Sequence, residues 1–112
     1  MKAYHITYPS NRQSILEFGL LPKESEKYAY LHYGSRIFFF IPKTKTDILV
    51  AFYHTKDEGM DLWEIDIDID MDKLNKDDKS EAKNHFWIDF PVKAKLYKSN
   101  INMWEISMKD FL

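Results

Sequence analysis

Cysteine is absent from this chain of 112 residues. That one absence removes disulfide cross-links, thiolate metal sites and cysteine nucleophiles together. Glycine is scarce, with three in all, and no Gly-x-Gly-x-x-Gly, phosphate-binding loop or Gly-x-Ser-x-Gly elbow occurs. No apolar run reaches the roughly 18 residues of a membrane-spanning helix. The opening Met-Lys-Ala-Tyr-His lacks the apolar centre of a signal peptide, so a cytoplasmic, reducing compartment is expected. Excess positive charge is missing as well: 16 Lys and Arg stand against 18 Asp and Glu, a net charge of −2. A dedicated nucleic-acid binder would show a strongly basic face, so that class is disfavoured, although a local basic groove stays open. The histidines at positions 5, 32, 54 and 85 lie far apart, without the paired spacing of a zinc site.

What is present suffices for one compact core. Apolar residues make up 45% of the chain and aromatics 16%, too apolar for a disordered polypeptide and about the length of one domain, residues 1–112.

Tyr4-His5-Ile6-Thr7 reads as a short strand that sets an imidazole and a hydroxyl two residues apart on one face. A helix is expected next, with Ser10 and Gln13 as a capping box and Ile15, Leu16 and Phe18 as its apolar stripe. Gly19 supplies a left-handed end and Pro22 prevents continuation. Residues 23–34 show no clean period and read as an irregular connection carrying Tyr28, Tyr30, His32 and Tyr33. Arg36 to Ile41 is a short apolar run ended by Pro42, the pattern of a buried strand. Thr44 with Asp47 marks a second helix start, and Ile48, Leu49, Phe52 and Tyr53 recur at helical spacing as far as Asp57-Glu58-Gly59.

From Asp61 the period changes to two. Leu62, Glu64, Asp66, Asp68 and Asp70 alternate with Trp63, Ile65, Ile67, Ile69 and Met71, which predicts a strand with one acidic and one apolar face. The acidic row lacks the glycine of a calcium loop, so no metal site is expected there. Residues 73–83 read as a charged, solvated connection. Three short strands are expected at 85–90, 92–98 and 101–108, with Pro91 and Ser99-Asn100 as breaks. Trp63, Trp87 and Trp104 are candidate anchors for a protein partner.

The order Tyr-His-x-Thr, helix, Ile-Leu-x-x-Gly-Leu-Leu-Pro, then Tyr-Gly-Ser-Arg-Ile-Phe-Phe and a second helix resembles the opening of the ADP-ribosyltransferase-like superfamily. That group includes the poly-ADP-ribose polymerase branch, the RNA 2′-phosphotransferases and small bacterial toxin-type domains. The likeness covers residues 4–53 and thins afterwards. It implies an α+β single domain with a split antiparallel β-sheet, two short helices and NAD in a cleft between the halves of the sheet. It implies a mono-ADP-ribosyltransferase-like activity on an acceptor macromolecule, with NAD or a related nucleotide as partner and neither metal nor membrane required.

Carried onto this sequence, the resemblance makes His5 the histidine that holds a ribose hydroxyl, and Thr7 the hydroxyl beside the nicotinamide end. Phe38 stands where a tyrosine stacks on nicotinamide, and a phenyl ring still offers a π-face. Tyr33 and Arg36 flank it, the guanidinium being suited to clamping a phosphate. The family's catalytic glutamate is not matched, because Asn84-His85-Phe86 puts a histidine in its place. A carboxylate stabilises the charge that develops on ribose better than an imidazole does, so assistance is expected from His85 or, alternatively, Glu105 on the last strand. Without either, the scaffold is a nucleotide-, nucleic-acid- or protein-binding module. Plain structural roles remain open for every one of these residues: Thr7 as a β-former, Phe38 as core, Arg36 and Glu105 as solvated charges. The transferase reading carries one geometric condition. The first strand and the Phe-rich strand must lie side by side, with the His5 imidazole and the Phe38 ring on the same side.

Overall fold

The computed structural model describes residues 2–24, 35–68, 74–77 and 83–111. In chain order the elements are β1 (Lys2–Thr7), α1 (Arg12–Phe18), β2 (Lys23–Glu24), β3 (Ser35–Phe40), α2 (Lys45–Phe52), β4 (Met60–Asp66), β5 (Asn75–Lys76), β6 (His85–Ile88) and β7 (Lys95–Ile101). Three-residue 3-10 turns precede α1 and follow α2, and a four-residue one spans Met108–Phe111. This is an α+β domain with two helices on an antiparallel sheet.

The sheet runs β5-β6-β3-β1-β4-β7, with β2 paired to the start of β3. Its pairing is uneven. β1 and β4 share six residue pairs, from Lys2↔Asp66 to Thr7↔Asp61, and β3 and β6 share four, from Ile37↔Ile88 to Phe40↔His85. Between these ladders, β1 and β3 share the single pair Tyr4↔Phe40. The β1–β4 and β3–β6 ladders thus meet at that one residue pair.

Alternation along the strands sorts the core into two layers. On one side Ala3, Ile37, Phe39, Trp63, Ile65, Phe86 and Ile88 pack with Ile15 of α1 and with Leu20. On the other, Tyr4, Phe40, Met60 and Leu62 pack with Ile48 and Phe52 of α2 and with Ile106. Each such side chain contributes roughly 1.5–3 kcal/mol on leaving water, so the two layers supply most of the stabilisation. β4, between β1 and the edge strand β7, is buried on both sides from Met60 to Trp63. The expected acidic face therefore begins only at Glu64, because α2 covers Leu62.

α2 begins with the expected capping box, in which the Thr44 hydroxyl accepts from the Asp47 N–H and the Asp47 carboxylate accepts from the Thr44 N–H. α1 differs from expectation. Ser10 and Gln13 form no cap; a 3-10 turn over Pro9–Asn11 leads in and Asn11 is the cap residue, with no side-chain bond. Only Ile15 of its stripe is buried, while Leu16 and Phe18 stay 57% and 62% exposed. A helix of two turns presents one line of contact to a sheet, and Ile15 fills it. Tyr53, expected in the stripe of α2, is likewise exposed, since the helix has already tightened into a 3-10 turn there. The end of the chain also differs. Val92 makes an isolated bridge with Leu20, Ser99-Asn100 continues β7 beside a register irregularity, and residues 102–106 turn instead of forming a strand. Asn100 absorbs the irregularity with φ 52°.

α1 is fastened by charge. The Arg12 guanidinium donates from Nε and Nη2 to the two oxygens of Asp61, at 2.7 and 2.8 Å. Asp61 is fully buried, and it also accepts the Asn100 N–H. Bidentate geometry with a further backbone donor is what lets a carboxylate stay ionised inside a core. Arg12 accordingly holds the Asp61 pKa below the usual carboxylate range.

Gly19 ends α1 at φ 76° and ψ −173°, a region open in practice to glycine alone, and its N–H donates to Ile15 O. A Cβ there would meet the Val92 carbonyl oxygen at 2.8 Å. Gly19→Ala should therefore lose roughly 2 kcal/mol or more of unfolding free energy, read as a lower urea midpoint. An unchanged midpoint would show that the Leu20–Val92 bridge is not held as described.

Candidate functional site

The condition on His5 and Phe38 is met in its first half only. β1 and β3 are neighbours, but Tyr4↔Phe40 fixes the register so that Phe38 shares the α2 side with Tyr4, while His5 falls on the α1 side with Phe39. The His5 side chain stays at the seam, where its Nδ1–H donates to the carbonyl oxygen of Phe38. The imidazole thus meets the backbone of residue 38 and not its ring. A carbonyl only accepts, so Nδ1 carries the proton and Nε2 is the free lone pair of the neutral ring. Burial lowers the His5 pKa below the ordinary imidazole value, against an opposing pull from the Phe38 carbonyl.

Thr7 is occupied on the same α1 side, its hydroxyl accepting the Trp63 indole N–H at 2.9 Å. With the Arg12–Asp61 pair beside it in the β1–β4 ladder, Thr7 belongs to the apparatus that docks α1 on the sheet. It satisfies a buried indole, which otherwise would cost a lost hydrogen bond.

The α2 side of the other half carries a different group. Arg36 and Phe38 are alternate residues of β3 and point the same way, and Phe38 is the direct cross-strand partner of Trp87 on β6. The Arg36 guanidinium lies over the Trp87 indole, 3.6 Å from its ring centroid, well inside cation–π range. All three side chains are half-buried, and neither ring belongs to either apolar cluster of described residues. Two aromatic rings and a guanidinium side by side are suited to a planar ligand that carries negative charge. Arg36 and Phe38 were expected site residues. Trp87 was singled out only as a possible partner anchor, although its alternation with Phe86 and Ile88 already set it apart from their core-facing side. Tyr33 lies outside the described residues.

His85 has structural employment. It stacks on Phe40 at 5.7 Å between centroids, and its Nε2–H donates to the Asp47 carbonyl at 2.9 Å. Next to it the Asn84 amide donates to the Asp47 carboxylate at 3.0 Å. Burial tends to raise the Asp47 pKa, but the hydrogen bonds from Asn84 and from the Lys43 and Thr44 backbone outweigh it and hold it low. Asn84 and His85 therefore tie the start of α2 to β6. Glu105 is not on a strand. It sits exposed in the turn after β7, where its carboxylate accepts the Asn102 N–H and its own N–H donates to the Asn102 side chain. Trp104 beside it is 68% exposed, with its indole N–H given to Asp57.

Among the described residues no three His, Asp or Glu side chains cluster as a metal site, and no helix is long and apolar enough to cross a membrane. Compared with protein-family models, curated proteins and solved structures, the chain matches none. The site must therefore be judged on its own geometry.

His5 gives a pH signature. Because its folded pKa is depressed, the stability it contributes is complete above the unfolded value of about 6.5 and is lost as pH falls through the folded value. Asp47 and Asp61, held low, act only in more acid solution. Urea midpoints measured between about pH 7 and pH 5 should fall for the native chain and stay flatter for His5→Gln. Equal slopes for the two would mean that the imidazole is not buried at the seam.

Proposed function

We propose that this chain is a nucleotide-binding domain on an ADP-ribosyltransferase-like scaffold, with NAD, ADP-ribose or a close relative as its ligand. The observation that carries the reading is the placement of Arg36 and Phe38 on one side of β3, close to the pair that joins β3 to β1. A guanidinium can take a pyrophosphate bidentately while an aromatic face receives a ring. Binding without transfer is the form of the reading that the polar residues favour. His85 and Glu105 each hold a backbone partner, and His5 and Thr7 are spent within the sheet.

The transferase reading needed the His5 imidazole and the Phe38 ring on one side of the sheet, and the Tyr4↔Phe40 register sets them on opposite sides. A mono-ADP-ribosyltransferase with an unidentified acceptor therefore enters only as an outcome of the test, in which Glu105 would have to leave its turn to reach a ribose.

Calorimetric titration with NAD and with ADP-ribose, run beside a nicotinamide-release assay, decides between the two. The proposal expects binding of both ligands without release, and a loss of roughly ten-fold or more in affinity for Arg36→Gln, the effect of removing a charged hydrogen bond. Release that disappears in Glu105→Gln would establish the transferase. Failure of both ligands to bind would remove the NAD reading altogether.

A further inference from the structure

The cross-strand register extends the Arg36–Phe38 pair across four strands. Residues paired in antiparallel strands point to the same side. Lys23 of β2 pairs with Arg36, Phe38 pairs with Trp87, and Trp87 in turn pairs with Asn75 of β5. Two rows therefore lie on one side of this half-sheet. One is cationic, Lys23 beside Arg36. The other, two residues along β3, runs Phe38, Trp87, Asn75, aromatic in the middle and ending on an exposed amide. The Arg36 guanidinium bridges the rows by lying over the Trp87 ring.

We infer that these rows form the subsite for the adenine nucleotide end of the ligand, in which the base takes the place of the Arg36 guanidinium on the Trp87 ring and the guanidinium turns to the phosphate. The inference deepens the nucleotide-binding reading given above and rests on it. A nucleobase is a planar π-system that stacks on indole or phenyl faces whatever its sequence context. The phosphate attached to it carries the charge for which Lys23 and Arg36 are placed. Asn75 supplies what stacking lacks, since a carboxamide can donate to and accept from the adenine N7 and N6 edge together. The arrangement discriminates by parts: a base without phosphate loses the cationic row, and a phosphate without base loses the aromatic one.

Tryptophan emission reads this directly. Trp63 is fully buried and Trp104 is mostly exposed, so a Trp104→Phe chain reports mainly on Trp87. Four probes are titrated: AMP, ADP-ribose, adenosine and ribose 5-phosphate. Saturable quenching by AMP and ADP-ribose, weaker quenching by adenosine and none by ribose 5-phosphate is the expected result. Trp87→Ala should weaken AMP by roughly ten-fold or more in calorimetry, the scale of one lost base stack. Because that variant also removes a half-buried ring, Asn75→Ala and Arg36→Gln serve beside it. Asn75→Ala should narrow the preference for AMP over GMP, and Arg36→Gln should weaken AMP far more than adenosine.

The outcomes separate the two claims. If NAD and ADP-ribose bind undiminished in folded Trp87→Ala, with Asn75→Ala also unaltered, this subsite is wrong and the domain reading stands. If AMP binds through Trp87 and NAD does not, the subsite stands and NAD is the wrong ligand. If none of the probes binds, both are overturned.

Discussion

The two ladders of the sheet are joined at Tyr4↔Phe40, and nearly every other feature depends on that joint. One pair gives few backbone hydrogen bonds, so side chains must complete the seam. His5 does so by donating from its ring to the Phe38 carbonyl. The Tyr4 and Phe40 rings add packing on the other side, 6.2 Å apart, with Phe111 edge-on to both. A neutral imidazole serves this purpose better than an ion would, because burial at the seam leaves the charged form poorly solvated. The seam thus explains both the position of His5 and the direction of its titration.

Two buried carboxylates attach the helices to this frame, one for each side. Asp61 on β4 grips Arg12 of α1 and the Asn100 N–H of β7. Asp47 on α2 gathers the N–H groups of Lys43 and Thr44 and the Asn84 amide beside β6. Helices of seven and eight residues are too short to persist alone, so such attachments do more here than in a protein with long helices. They also fix what each side of the sheet is for. The α1 side is filled by Trp63, Thr7 and the ion pair, which leaves little polar capacity there for a ligand. The other side carries Arg36, Phe38 and Trp87, all half-buried.

Part of this was legible in the chain itself. The run from Arg36 to Ile41 and the Thr44–Asp47 cap are signals within a few residues, and each became the expected element; the alternation after Asp61 became a strand as far as Asp66, its expected continuation over 69–71 lying outside the described residues. Gly19 was legible for the same reason, since a helix end needs its dihedral angles. Ser10 and Gln13 misled because a capping box is only a spacing, and the turn led by Pro9 took that place. Residues 101–108 misled because apolar alternation there serves Ile106, which packs beneath α2 from a turn.

Which side of the sheet each side chain takes could not be read locally. His5 and Phe38 look alike as candidates until one cross-strand pair, 36 positions apart in sequence, sets the register, and a shift of one residue would reverse the answer. The sequence by itself determined the elements, the apolar share and the absence of thiol chemistry, because these follow from composition and near-neighbour spacing. Only the tertiary structure decided that His5 and Thr7 belong to the seam and the core and that Arg36 lies on Trp87. Those facts arise from pairings between distant strands, whose energies no local pattern contains.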